Sequence, residues 1–106
     1  MVWAYLILAG AFEIAFASTL KLAQGFTKPL PTLVFLVSIV ASFLLLSRAA
    51  QSLPIGTAYA VWTGIGAAGT VLVGMILYDE PATALRLFFL ATLIGSIISL
   101  KLASPA

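Results

Sequence analysis

Cysteine and histidine are both absent from this chain of 106 residues. Without cysteine there is no disulfide and no thiol nucleophile, and without histidine there is no imidazole base and no histidine metal ligand. Charge is nearly as scarce: five basic and three acidic residues, 8% of the chain. The bases are scattered singly, so no run suggests a nucleic-acid partner. No nucleophile, metal set or cofactor loop can be assembled, and neither enzyme activity nor a cofactor is expected. What remains is apolar: 63% of residues are hydrophobic and the mean hydropathy is +1.23. That composition is one of an all-α membrane protein, and 106 residues leave room for a single transmembrane domain.

Breakers divide the chain into four spans, expected at about residues 2–22, 32–48, 55–78 and 84–101. The segment 23–31 carries Gly25, Pro29 and Pro31 and reads as a loop, with Gly25 suited to a helix C-cap. Gln51 to Pro54 is the second break, and Asp79-Glu80-Pro81 the third. The first run is not expected to be a signal peptide, because it lacks a basic lead and carries an acid at its centre. Four short helices make a thin core in lipid, so an oligomer is expected on size alone.

That acid, Glu13, organises the rest. Counted from Val2 at ~1.5 Å per residue it lies about 16 Å down a helix, roughly half of a ~30 Å hydrocarbon core. An ionised carboxylate at that depth costs at least ~2.5 kcal/mol on insertion scales. A carboxyl held between its protonated and ionised forms can trade a proton for a cation. The plainer reading is a protonated Glu13 that only hydrogen-bonds a neighbouring helix.

Its surroundings favour the exchange. Leu6, Gly10, Glu13 and Ala17 share one face of the first helix, and Gly10 and Ala17 leave space beside the carboxyl. Phe16, three residues on, can wall the same cavity. In the third span Tyr59 and Trp62 face together, a phenol to bond a carboxylate and an indole face for a cation. Ser42 can add a hydrogen bond from the second span. Taken singly, the aromatics could instead be interfacial belt residues. Together with a central acid and no other buried charge, they describe a pocket for a desolvated organic cation.

The third span holds five glycines. Gly64 and Gly66 mark a candidate hinge, with close helix packing as the alternative. In the fourth span Gly95, Ser96 and Ser99 form a small-residue face suited to dimerisation.

The loops give no orientation signal. With four spans, Arg48 and Lys101 fall on one side, and Lys21, Lys28 and Arg86 on the other. That is no usable excess under the positive-inside rule. A chain that inserts both ways can form an antiparallel, dual-topology dimer, rebuilding with two copies the inverted symmetry that larger transporters hold in one chain.

The chain resembles the small multidrug resistance transporters along essentially its whole length. The residues that carry the likeness are Glu13, Lys21, Gly25-Phe26-Thr27 and the stretch Pro54-Ile55-Gly56-Thr57-Ala58-Tyr59-Ala60-Val61-Trp62-Thr63-Gly64-Ile65-Gly66. Within that family, Trp62 to Ala67, Glu80-Pro81 and Leu100-Lys101 resemble the guanidinium-exporter branch; the quaternary-ammonium branch tends to have Ser where Thr63 stands. The resemblance implies an antiparallel dimer in the bacterial inner membrane. It also implies that Glu13 of both copies binds protons and substrate in competition, within a pocket of Gly10, Ser42, Tyr59 and Trp62. It further implies a bend in the third helix at Gly64 to Gly66 and a dimer contact along the fourth. The guanidinium branch usually has Trp where this chain has Phe16, which has no N–H to donate. Substituted guanidines and hydrophobic amines are therefore expected alongside guanidinium.

The expected function is proton-coupled export of small organic cations, most directly guanidinium compounds, by a homodimer or by a pair with a related chain. The alternatives are a broad quaternary-ammonium exporter and, from a different class, a structural or regulatory membrane subunit that carries no flux.

Overall fold

The computed structural model describes residues 2–103. Four helices account for nearly all of them: α1 (Val2–Leu22), α2 (Pro29–Ala50), α3 (Ile55–Leu77) and α4 (Ala84–Ala103). No strand occurs among the described residues. The helices have 21, 22, 23 and 20 residues, and at ~1.5 Å per residue each exceeds or matches the ~30 Å of a hydrocarbon core. All four are long and apolar enough to cross a membrane; the protein is a multi-pass membrane protein.

Helix α2 begins three residues before the expected start, with Pro29 and Pro31 inside its first turn. The first N–H groups of a helix have no intrahelical partner, so proline there forfeits nothing and its fixed φ suits the turn. The preceding loop is correspondingly tight. Gln24, Gly25 and Phe26 all adopt positive φ, at 47°, 71° and 67°, and the Thr27 hydroxyl donates to the Gln24 carbonyl at 2.7 Å. Gly25 meets this at no steric cost, whereas the two flanking residues do not. Leu53, buried, closes the second loop through its N–H to the Ala49 carbonyl at 3.0 Å. After α3, Asp79 turns the chain with φ 54°, and the Glu80 N–H returns to the Gly74 carbonyl at 3.1 Å.

The core lies where α1, α2 and α3 meet: Leu6 and Ala9 of α1, Leu46 and Ala49 of α2, Leu53, and Ala58, Val61 and Trp62 of α3. Helix α1 packs along both α2 and α3, whereas α4 packs chiefly along α3. Leu90 is the one buried residue of α4 among those described. Phe88, Phe89 and Ile98 remain more than half exposed to whatever surrounds the chain. The result is a slab of 43 × 35 × 17 Å.

Aromatic and basic side chains mark both ends of the slab. Lys101 lies over the Trp3 ring at 5.3 Å and Arg48 over the Tyr5 ring at 5.9 Å on one side. On the other, Lys21 lies over the Tyr78 ring at 4.9 Å. Such pairs suit the headgroup layer, where a ring can be half-wet and an ammonium can reach water.

Candidate functional site

Glu13 sits in the fourth turn of α1, pressed against α3. The contact is with the backbone of Gly66: a β-carbon added at that position would collide with the Glu13 carboxyl. Neighbouring contacts fix the same register. A β-carbon on Gly69 would collide with Ile14, and one on Gly10 would collide with Ile65. Small residues on one helix therefore receive large ones from the other, which is how lipid-embedded helices approach closely. The carboxylate Oε1 is buried and has no hydrogen-bond partner. Glu13 forms no ion pair among the described residues, where the one salt bridge joins Arg86 in the first turn of α4 to Glu80 in the preceding loop at 3.5 Å.

Behind Glu13 lies a short polar relay. The Trp62 indole N–H donates to Ser42 Oγ at 2.9 Å, and the Ser42 hydroxyl donates to the Ala9 carbonyl at 2.7 Å. Ser42 is fully buried and Trp62 only 7% exposed. In a water-free interior each of these groups needs a partner, and the relay supplies both while tying α3 to α2 and α2 to α1. Phe43 and Tyr59 flank the indole, with ring centroids at 5.3 and 5.8 Å. Tyr59 itself is 57% exposed, on the open side of the slab.

Ser42 and Trp62 are joined by their hydrogen bond and meet α1 at Ala9, Tyr59 packs on Trp62, and on α1 Gly10 faces Ile65 while Glu13 faces Gly66. Ser42 bonds the indole and a carbonyl, and thereby holds the ring in place. Phe16 lies edge-on to Phe35 of α2 at 5.9 Å, so its ring packs between α1 and α2. Gly64 and Gly66 occupy an unbroken helix and face different neighbours. A β-carbon on Gly64 would come within 2.8 Å of Ile97 on α4, whereas Gly66 faces Glu13. Gly95, Ser96 and Ser99 are exposed on α4. A β-carbon on Gly95 would meet nothing within 4 Å, and the Ser99 hydroxyl turns back to the Gly95 carbonyl at 2.8 Å.

Two groups were not legible in the sequence. The Tyr78 hydroxyl donates to the Ser18 carbonyl at 2.8 Å, pinning the far ends of α1 and α3; only an aromatic at a span end hinted at it. Thr63 and Thr70 each bury a hydroxyl that has no partner. Their spacing about Gly66 would have pointed to them once Gly66 was known to face Glu13.

A family profile described as Small Multidrug Resistance protein matches residues 1–93. Relatives named guanidinium exporter align along nearly the full chain. The protein of Yersinia pseudotuberculosis serotype I (strain IP32953) is 47% identical over 104 residues, covering 98% of this chain and 100% of its own length. That of Proteus vulgaris is 46% identical with the same coverage. That of Citrobacter freundii is 42% identical, covering 98% of this chain and 99% of its own.

Proposed function

The chain belongs to the small multidrug resistance family, and from that premise we propose that it is a proton-coupled antiporter exporting small organic cations, guanidinium and substituted guanidines first among them. The observation that carries the reading is Glu13: one carboxyl in mid-span, without a counter-charge among the described residues, packed against Gly66 one helical turn from the buried indole of Trp62. An uncompensated carboxylate in that setting is costly. It is relieved in two ways, by taking up a proton or by taking up a cation, and the two are mutually exclusive at one group. Competition is what couples them: a cation leaves when a proton replaces it, and a gradient of one drives the other.

One chain provides one wall of the site. The slab is 17 Å in its thinnest dimension, and Tyr59 and the small face of α4 are exposed. The second wall in this proposal is another copy in the opposite orientation, giving an antiparallel dimer in the bacterial inner membrane, with a related chain as the other possible partner. Exchange of the two copies' conformations would carry Glu13 from one side to the other.

The test is flux into liposomes from purified protein with an imposed pH gradient, using guanidinium, methylguanidine and a tetraalkylammonium ion. Proton-driven uptake of the guanidines supports the proposal. Uptake of the tetraalkylammonium ion alone would move the assignment to the quaternary-ammonium reading, which is favoured by one observation: Phe16 offers no donor and packs on Phe35. No proton-linked flux of any of them would leave a membrane subunit without transport.

A further inference from the structure

Gly64 and Gly66 look alike in the sequence, yet they do different things in the fold. Both lie in α3, and neither interrupts the helix. A β-carbon on Gly64 would press on Ile97, at 2.8 Å from Cδ1 and 2.9 Å from Cγ1, with Leu93 at 3.8 Å. Those are flexible side chains of α4. A β-carbon on Gly66 would instead run into Oε1 and Cδ of Glu13 and stand 2.7 Å from its Cγ. The space that a side chain would take at residue 66 is the space the carboxyl occupies.

A second observation concerns hydroxyls. Thr19, Thr92 and Ser99 hand their hydroxyls back to carbonyls three or four residues earlier on their own helices. That is the ordinary way for a helical hydroxyl to be satisfied without water. Thr63 and Thr70 do not do so, and their oxygens are buried without partners, as are those of Ser18 on α1 and Thr32 on α2. Counted along α3, Tyr59, Thr63, Gly66 and Thr70 follow at spacings of four, three and four, so they share one stripe. Gly66 places the carboxyl at the middle of that stripe, with one uncommitted hydroxyl a turn to either side.

We propose that Gly66 is a positioning residue for Glu13: its missing side chain opens a berth against the α3 backbone, and the hydroxyls of Thr63 and Thr70 flank the seated carboxyl. The proposal rests on the reading of Glu13 as the cation-binding group and says how that group is held. A carboxyl free to swing would lose part of its grip on a small, planar cation, because the geometry of two N–H donors must be met by fixed acceptors. Substituting Gly66 would therefore displace the carboxyl without removing it, while substituting Gly64 would disturb only the seam with α4.

The experiment follows the carboxyl directly. Glu13 and Glu80 are the two glutamates of the chain, so protein labelled with carboxyl-13C glutamate in a Glu80→Gln background reports Glu13 alone by infrared difference spectroscopy in lipid. Gly64→Ala and Gly66→Ala are compared, with guanidinium binding measured by calorimetry on the same samples. The expected result is a shifted Glu13 carboxyl band in Gly66→Ala and an affinity loss on the order of tenfold, the scale of one charge-assisted hydrogen bond. Gly64→Ala should leave the band in place. Thr70→Val should perturb the band and Thr70→Ser should restore it. Equal effects of the two alanines, or an unmoved band in Gly66→Ala, would overturn the berth. If Gly66→Ala fails to fold, it is combined with Glu13→Ala, which removes every atom it would strike. Recovery of the folded protein supports the contact, and continued failure overturns it. The two claims separate cleanly: a band shift confined to Gly66→Ala with no guanidinium binding by the parent protein sustains the berth and removes the proposed substrate. Guanidinium binding with an unmoved band does the reverse.

Discussion

Removing the hydroxyl of Ser42 tests whether the relay behind the carboxyl stabilises the fold. Ser42→Ala leaves the Trp62 N–H without its acceptor, in a place where Ser42 is fully buried and the indole is 7% exposed. A buried donor left unpaired costs ~1–3 kcal/mol. Interhelical hydrogen bonds in membranes measure lower, averaging ~0.6 kcal/mol with a maximum of ~1.7, because unfolded segments also find partners. The Ala9 carbonyl loses its extra donor but keeps its intrahelical bond, so little is added there. With the serine fully buried and the indole nearly so, the upper part of the membrane range applies, and about 1.5 kcal/mol is expected.

Trp62→Phe removes the donor while Ser42 continues to bond Ala9, so its cost is mainly packing against Phe43 and Tyr59. The two changes should not add. In the double variant the unpaired donor is gone, and a coupling of about 1 kcal/mol is expected, well above the ~0.3–0.5 kcal/mol scatter of independent sites. The assay is reversible unfolding by detergent titration, followed by circular dichroism so that loss of an indole does not alter the signal's meaning. Additivity within that scatter would refute the relay as an energetic unit, whatever its geometry.

Glu13→Gln keeps the side chain's volume but removes its charge; proton-coupled cation flux in liposomes should vanish while the protein still assembles. Gln51→Lys, in the exposed second loop, adds a positive charge on the side that carries Arg48 and Lys101, and should bias a two-way insertion toward one orientation, read by paired topology reporters on the C-terminus. If the working unit is two opposed copies, activity should fall with the bias. Phe16→Trp supplies a donor at the α1–α2 contact and should move preference toward bare guanidinium over methylguanidine by about fivefold, the equivalent of ~1 kcal/mol for one hydrogen bond, measured in competitive uptake. Gly95→Leu has open space in the single chain, so it should leave the helices intact by circular dichroism, yet it should weaken self-association in lipid if α4 is the dimer contact.

The four helices were legible because each is a long apolar run bounded by glycine, proline or charge, and a lipid span needs little more specification than that. The family was legible from the stretch around Tyr59 and Trp62. The start of α2 was not, because Pro29 and Pro31 read equally as loop and as first turn. The two roles of Gly64 and Gly66 were also hidden. Residues two apart on a helix point about 200° from each other, so one glycine met α4 and the other α1, but the sequence does not say which helices flank α3. The bonding of Ser42 escaped for a related reason. Its hydroxyl was expected as one more polar group for the pocket, whereas the geometry uses it to fix the indole. Spacing identifies a face, and only packing identifies what the face meets.

The proposed mechanism depends on a balance that the chain's scarcity of charge makes possible. A base beside Glu13 would pair with the carboxyl permanently and remove the proposed competition between proton and cation. None of the described helices supplies one in mid-span: the bases lie at the ends of the slab, with Lys21, Arg48 and Lys101 each over an aromatic ring. The interior polar groups that do exist are neutral, and most of those behind Glu13 are already committed, indole to serine and serine to carbonyl. Three of the uncommitted ones, the buried oxygen of Glu13 and the hydroxyls of Thr63 and Thr70, are placed about one glycine of α3; the hydroxyls of Ser18 and Thr32 are the others among the described residues. An exporter of small cations needs a site whose affinity is set by the visiting ion and not by a resident partner. In the proposed mechanism, leaving one carboxyl unpaired meets that requirement with the fewest groups.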